Sequence, residues 1–268
     1  MADSWSQDGD QLSILTRNPD KADNFTKQGW DPIVGDLTQP ASLPNQFPPC
    51  DTVLIAVGMD RTRYDDIFNV YVGGVEAILK RLHPDTQHII YISSTGVFGN
   101  FDGEWVHEES PAEPTRDGGR ACLQAEQRIW NSEFANRATV LRLSGIYGPG
   151  RIPSLKFVQQ GEWDRLNPAG YLNLIHLDDI VAVVRATAVQ RPFGETILVS
   201  DGDPPLREVY YEYLAELLQV PVKWPEQGNA TPMIGRGSDK RVANDKLKKL
   251  LGIELIHKNF RSGCPASI

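Results

Sequence analysis

Cysteine is scarce in this chain, which has three cysteines among its 268 residues: Cys50, Cys122 and Cys264. They lie far apart and no CxxC pair exists, so the chain lacks the spacing of a disulfide scaffold, a zinc ribbon or a thioredoxin-like redox motif. We therefore predict reduced, mostly buried thiols in a cytoplasmic protein, and no metal site.

Long apolar runs and an excess of basic residues are absent as well. No apolar run approaches the length of a membrane-spanning helix, and the opening residues MADSWSQD are too polar for a secretory leader. Asp and Glu number 35 against 27 Lys and Arg, which gives a net charge of −8. A negative surface repels nucleic acid and anionic membranes. We predict neither as a partner and expect a small-molecule substrate instead.

Short apolar runs alternate with segments of helical periodicity along most of the chain. This alternation predicts parallel βαβ units, hence an α/β fold whose sheet is covered on both faces. Ligands of such folds bind at the carboxyl ends of the strands. The alternation of apolar runs and helical segments ends near residue 150. We predict a first domain over residues 1–150 and a smaller lobe over 151–268, with residues 173–200 returning to the first domain. Predicted strands span 11–16, 32–35, 51–57, 88–93 and 138–143, and predicted helices span 20–28, 67–82, 119–134, 179–189, 206–218 and 244–251.

Three strand ends carry specific strings. They read YISSTGVFG at 91–99, LRLSGIYGPG at 141–150 and NLIHLDD at 173–179. In this order and spacing they resemble the NAD-dependent epimerase/dehydratase family, an extended and here atypical branch of the short-chain dehydrogenases/reductases. The resemblance implies a Rossmann-like, doubly wound parallel sheet with a small C-terminal substrate lobe. It also implies hydride transfer between a nicotinamide cofactor and a sugar-like or other small polar substrate.

The resemblance assigns cofactor contacts to residues that follow the strands. Arg17 stands where an acidic residue would bind the adenosine ribose of NAD, and a basic residue there favours the 2′-phosphate of NADP. NADP is therefore the expected cofactor, with NAD as the alternative, and a solvated surface arginine is the competing interpretation. The remaining cofactor residues implied by the family are Asp36, Leu37, Ala56, Val57, Gly58, Ser93, Ser144 and Gly145.

The chain departs from the family at its start. The family opens with a strand, a GxxGxxG turn that holds the pyrophosphate, and a helix. No such string occurs here, and Ser4–Ser6 matches the last turn of that helix. We expect the first strand and the glycine loop to be missing, so that the strand at 11–16 does not pair with the strand at 51–57. The dinucleotide would then be held weakly. A reading frame that continues upstream of Met1 would explain this, and a shortened, repurposed protein is the alternative.

The second departure is catalytic. The family's YxxxK motif aligns with Gly118 and Cys122, so its tyrosine and lysine are both absent. Ser94 matches the catalytic serine, and Tyr147 or Glu104 is the substitute proton donor that we predict. Three further residues are predicted to contact the substrate: Thr95, Arg151 and His176.

Three functional interpretations follow from these departures. The first is an enzyme, an NADP-linked oxidoreductase or epimerase. The second is a non-catalytic NAD(P)-binding or regulatory protein, favoured by the missing tyrosine and lysine. The third is a remnant that binds nothing.

The family also implies a homodimer paired through the helices at 66–82 and 119–134, with Tyr71, Val75, Ile78, Ala121, Ala125 and Ile129 as apolar contacts.

Overall fold

Strands and helices alternate along the chain as the apolar patterns predict. The computed structural model describes residues 1–59, 66–225 and 239–267. The strands are β1 Ser13–Thr16, β2 Asp31–Val34, β3 Thr52–Ile55, β4 His88–Ser94, β5 Trp105–Val106, β6 Ala138–Leu143, β7 Gly145–Tyr147, β8 Leu174–His176, β9 Glu195–Val199 and β10 Arg241–Val242. The α-helices are α1 Ala2–Gln7, α2 Pro19–Lys27, α3 Gly74–Leu79, α4 Asp117–Trp130, α5 Leu155–Gln160, α6 Leu177–Gln190, α7 Arg207–Leu218, α8 Asp245–Leu251 and α9 Phe260–Gly263.

Local sequence signals account for several of these boundaries. Asn18 caps α2 by accepting a hydrogen bond from the Asp20 amide at 2.9 Å, and Pro19 occupies the first turn, where its missing N–H costs nothing. Gly252 ends α8 with φ +61°, a conformation that favours glycine. The predicted helix at 67–82 has a different form, because its first part, Asn69–Gly73, is a π-helix that runs directly into α3.

The largest sheet has the strand order β3-β4-β6-β9. β3 pairs with β4 in parallel, and all six residues of β6 are buried, as expected for a strand covered on both faces. β1 and β2 form a separate parallel pair. Within the described residues no backbone hydrogen bond joins β1 to β3, in line with the strand pairing that the sequence predicts. A missing strand between β1 and β3 stays a prediction.

The chain divides into two compact units. Unit 1 comprises Met1–Ser93, Arg120–Val140 and Thr187–Glu195, and unit 2 comprises Ser94–Gly119, Leu141–Ala186 and Thr196–Ile268. Each unit has its own apolar core. Unit 1 packs β3, β4 and β6 with α3 and α4, centred on residues such as Ile55, Val75, Ile89 and Ile129. Unit 2 packs aromatic side chains of β7, α7 and α9 around Trp163 and Tyr210. The predicted division, a first domain over 1–150 and a smaller lobe over 151–268 with residues 173–200 returning to the first domain, stays a prediction.

The helices predicted to form a dimer turn most of their apolar residues into the chain itself. Val75, Ile78, Ala125 and Ile129 belong to the core of unit 1, and Ala121 is fully buried. They are therefore not the partner contacts that the sequence predicted, because a side chain already packed in the core has no exposed surface to bury. A two-fold pairing stays a prediction and would have to use the outer faces of these helices.

Two simpler expectations concern cysteine and membranes. All three cysteines are free, and Cys122 and Cys264 are buried. In the portion of the chain that the structure describes, no helix combines the length and the apolar character needed to cross a bilayer.

Candidate functional site

Arg17 and Asp36 follow neighbouring strands at the same edge of the β1-β2 pair. The parallel register sets Thr16 opposite Val34, so the segments that follow β1 and β2 leave the sheet in the same direction. Arg17 is exposed directly after β1. The side chain of Asp36 is engaged locally, since its Oδ1 accepts hydrogen bonds from the Thr38 amide at 2.9 Å and the Thr38 hydroxyl at 2.7 Å. This carboxylate therefore shapes the turn after β2.

Small residues follow β3. Ala56 and Gly58 are exposed, and a methyl group added at Gly58 would meet no atom within 4 Å. An open, side-chain-poor backbone of this kind lets a flat ligand approach closely. Val57 and Leu37 have a different role, because both pack against the core of unit 1.

The Ser93 side chain forms a buried hydrogen bond in unit 1. Its hydroxyl donates a 2.5 Å hydrogen bond to Oε1 of Glu126 on α4, and both residues are almost fully buried. Sequence reasoning missed this contact. Cys122 lies one helical turn earlier. Burial and then the charge of Glu126 raise the pKa of the Cys122 thiol to about 11, so it is neutral at pH 7 and does not replace the family's lysine.

Ser94 begins a tight turn in unit 2. Its Oγ accepts a 3.0 Å hydrogen bond from the Gly96 amide, which fixes the side chain at the carboxyl end of β4. Thr95 is buried beside it. The first turn of α4 packs closely against this loop. A methyl group added at Gly119 would overlap the Gly96 carbonyl and lie 2.9 Å from Pro114 Cβ. Gly119 was not singled out from the sequence, although its lack of a side chain keeps the Ser94 turn in place.

Tyr147 does not suit the proton-donor role that the sequence predicted. It is fully buried, and its hydroxyl donates a hydrogen bond to the Asn259 carbonyl at 3.1 Å. Burial raises the pKa of Tyr147 far above its usual value, and the carboxylate of Asp201 raises it further. The side chain therefore anchors the C-terminal segment. Glu104, the other predicted donor, has a largely exposed carboxylate near Arg241.

The other predicted residues of unit 2 occupy different settings. Ser144 is buried, and its Oγ has no hydrogen-bond partner among the described residues. Gly145 is exposed at the start of β7. Arg151 is exposed and closes a tight turn through two backbone hydrogen bonds with Gly148. His176 is buried at the end of β8 rather than open to a substrate, and its ring packs edge-on against Tyr147 at 5.0 Å.

A group of cations that sequence reasoning missed lies in unit 2. Lys240 and Arg207 are almost fully buried. Burial first, and then the positive charges of Arg207 and Arg116, lowers the pKa of Lys240 to about 8. The Lys240 ammonium donates to the Phe98 carbonyl at 3.4 Å, and the Arg142 guanidinium lies over the Phe98 ring at 5.1 Å. Spacing gave no signal for Arg116, Arg207 and Lys240, because these three residues come from three separate segments.

A cavity of about 400 Å³ opens beside β5 and β10. None of the residues predicted to contact cofactor or substrate lines it. Its walls are Trp105, His107, Gly202, Ala243, Asn244, Asp245 and Lys248.

Comparison with known proteins decides the family. Residues 3–162 match the family described as NAD(P)H-binding, which is more than half of the chain. The chain belongs to this NAD(P)H-binding family. Among curated relatives, protein YeeZ of Escherichia coli K12 is 28% identical over 206 residues, covering 76% of this chain and 70% of YeeZ.

Solved structures confirm the fold class. A functionally unknown conserved protein from Silicibacter pomeroyi is 28% identical, with a TM-score of 0.73 over 98% of this chain and 91% of that one. The dTDP-glucose 4,6-dehydratase of Bacillus anthracis, solved with NAD, is 12% identical with a TM-score of 0.74, covering 99% of this chain and 90% of the other. The chain thus has a Rossmann-like α/β fold, and its NAD(P)H-binding family supports a nicotinamide cofactor.

Proposed function

We propose that this chain is an NADP-dependent enzyme of the epimerase/dehydratase type whose sugar-like substrate carries a phosphate or carboxylate group. The observation that carries the substrate class is the group formed by Arg116, Arg207 and Lys240. Arg207 and Lys240 are buried and Arg116 is exposed, and burial first, then the positive charges of Arg207 and Arg116, lowers the pKa of the Lys240 ammonium. A substrate anion bound there offsets the repulsion, and Arg and Lys are the usual partners of phosphate.

The residues of unit 1 fit the adenosine end of the cofactor. Arg17 is exposed after β1, where its guanidinium can pair with a 2′-phosphate. Ala56 and Gly58 leave the backbone after β3 open to a ribose. In unit 2 the buried Ser144 hydroxyl offers a polar contact close to the carboxyl end of β6. When bound, the nicotinamide supplies a hydride acceptor or donor.

Ser94 positions the substrate in this proposal. The Gly96 amide occupies one lone pair of Oγ and thereby orients the hydroxyl. The hydroxyl hydrogen is then donated to the substrate oxygen at which charge develops, which favours the transition state over the ground state.

A non-catalytic NAD(P)-binding protein is the second candidate. The environment of two side chains favours it: the Cys122 thiol is neutral at the position of the family's lysine, and Tyr147 is buried with a raised pKa. The enzyme proposal therefore needs a proton donor other than these two groups.

Turnover separates the two candidates. Wild-type protein and Ser94→Ala are incubated with NADP⁺ and dTDP-glucose, UDP-glucuronate or glucose 6-phosphate, and products are followed by chromatography and nicotinamide absorbance. The enzyme proposal predicts turnover of at least one compound and a loss of roughly 100-fold or more in kcat for Ser94→Ala. Cofactor binding without turnover of any of the three compounds would support the second candidate.

A further inference from the structure

Three side chains with metal-ligating atoms converge in unit 2, and none of them has a role in the proposed function. His176 ends β8, Asp178 lies in the first turn of α6, and His257 follows α8. Asp178 Oδ2 lies 3.5 Å from His176 Nδ1 and 3.4 Å from His257 Nε2. All three ligand atoms lie within 4.8 Å of one another.

The backbone next to the site holds His257 in place. The buried carboxylate of Asp179 accepts hydrogen bonds from two successive amides, those of Ile256 at 2.6 Å and His257 at 3.2 Å. Asp179 belongs to the same helical turn as Asp178, so the segment that carries His257 is tied to the helix that carries the carboxylate. Two ligands positioned before an ion arrives lose little conformational entropy on binding it.

Hydrogen bonds fix the tautomer of His176. Ser267 Oγ donates its proton to the Gly263 carbonyl at 2.8 Å, so at its 3.3 Å contact with His176 Nε2 it acts as acceptor. Nε2 therefore carries the ring proton. Nδ1 has a free electron pair, which currently accepts the Asp178 amide at 3.1 Å. Metal-binding histidines show the same arrangement, with one nitrogen on the metal and the other donating to an outer partner.

The two imidazole rings lie next to each other. Their centroids are 3.7 Å apart at an interplanar angle of 42°. A pair of imidazoles and one carboxylate is a donor set typical of Zn²⁺ and related divalent ions.

We propose that His176, Asp178 and His257 bind a divalent transition-metal ion, best matched by Zn²⁺, with water completing its coordination. Zn–N and Zn–O bonds of about 2.0–2.1 Å require tetrahedral ligand atoms to be about 3.3–3.4 Å apart. Two of the three separations, 3.4 Å and 3.5 Å, are close to this requirement. The third, between the ligand atoms of the two histidines, is within 4.8 Å. The ion replaces the hydrogen bond from the Asp178 amide to His176 Nδ1, and the exposed Asp178 gives it access from solvent.

Zinc competition with the full-length chain tests the site. The protein is stripped with a chelator and titrated with Zn²⁺ in the presence of a chromophoric chelator, and Co²⁺ is added in parallel to record the visible absorption of a tetrahedral ion. We expect one ion per chain. Asp178→Asn and His257→Phe should each weaken affinity by roughly 100-fold, because each leaves two protein ligands. His257→Cys should retain binding, since a thiolate also ligates zinc.

His83→Phe is the matched control. His83 Nδ1 also lies 3.5 Å from a carboxylate, that of Asp85, but this pair has no third ligand in the described part of the chain. The His83→Phe variant should therefore bind zinc with the same affinity as wild-type protein. Asp178→Asn preserves the size of the side chain and removes only its charge at an exposed position. Its zinc affinity therefore tests the site even if His257→Phe does not fold. The proposal is wrong if wild-type protein binds no zinc at 100 µM ion, a concentration of the order used in such titrations, or if Asp178→Asn binds as tightly as wild type.

Discussion

His88 donates a hydrogen bond from Nε2 to Thr139 Oγ1 across 2.9 Å in the interior of unit 1. The direction follows from the next contact, because the Thr139 hydroxyl gives its only proton to the Pro192 carbonyl at 2.8 Å. His88 is therefore a neutral ring with its proton on Nε2. Its other nitrogen, Nδ1, is buried without a hydrogen-bond partner among the described residues.

Protonation of His88 should destabilise the fold. Burial first, and then the charge of Arg191, lowers its pKa from 6.5 to about 4. The folded value lies below the unfolded one, so the unfolded chain binds the proton first. The free energy of unfolding should fall by up to roughly 2–3 kcal/mol between pH 6.5 and pH 4. Urea denaturation across this range measures the fall. His88→Gln keeps a donor but no titrating group, and its profile should be flatter by that amount. Parallel profiles for the two proteins would contradict the assignment.

Gly119→Ala should destabilise unit 2 by about 2–3 kcal/mol. The added methyl group meets the Gly96 backbone, which cannot swing aside as a flexible side chain does. Better helix propensity regains about 1 kcal/mol at most. Gly58→Ala is the control, because the same methyl group meets no atom within 4 Å there. Thermal unfolding of both variants distinguishes a steric cause from a general intolerance of alanine for glycine, which would lower both melting temperatures equally.

Anion binding at Lys240 should weaken above pH 8. The ammonium is charged below its pKa of about 8 and neutral above it. Sulfate is a suitable probe, since it does not titrate in this range. Isothermal titration between pH 6.5 and pH 9.5 should show affinity falling through pH 8 to 9, and Lys240→Met should bind weakly at every pH. Lys249→Met, a change at an exposed position of α8, serves as control. Sulfate affinity that is independent of pH in wild-type protein would remove Lys240 from the anion site.

Cofactor choice should depend on Arg17. Its guanidinium is the exposed cation directly after β1, and a bidentate contact to the 2′-phosphate is worth about 1.5–3 kcal/mol. Wild-type protein should therefore prefer NADPH over NADH by roughly tenfold or more. Arg17→Asp should abolish or reverse the preference, whereas Arg17→Lys should retain part of it. Equal affinities for the two cofactors in wild-type protein would make Arg17 a surface residue only.

Much of the fold could be predicted from local patterns. β6 was predicted with its observed bounds, and α2, α7 and α8 lie within two residues of their predicted ends. These elements have strong periodicity or clear capping residues. The pairs β7-β8 and β5-β10 were missed, because strands of two or three residues carry too little pattern. Their pairing depends on segments distant in sequence.

The candidate site was harder to predict for the same reason. Strand-end residues such as Arg17 and Ser94 could be placed because a motif or a strand end marks them. Tyr147 was predicted as a proton donor because a motif shows the residue type but not its burial. In the structure its hydroxyl is buried and has no access to solvent. Lys240 and Glu126 acquire their roles through contacts more than 30 residues away in sequence, with Phe98 and Ser93. No local spacing reports such contacts.

Cofactor binding is the central claim, and fluorescence titration of the 268-residue chain with NADPH and NADH tests it most directly. The account predicts saturable binding at one site per chain, tighter for NADPH, with Ser94→Ala unchanged because Ser94 acts on the substrate. The absence of saturable binding for both cofactors, with the chain folded by circular dichroism, would contradict the account.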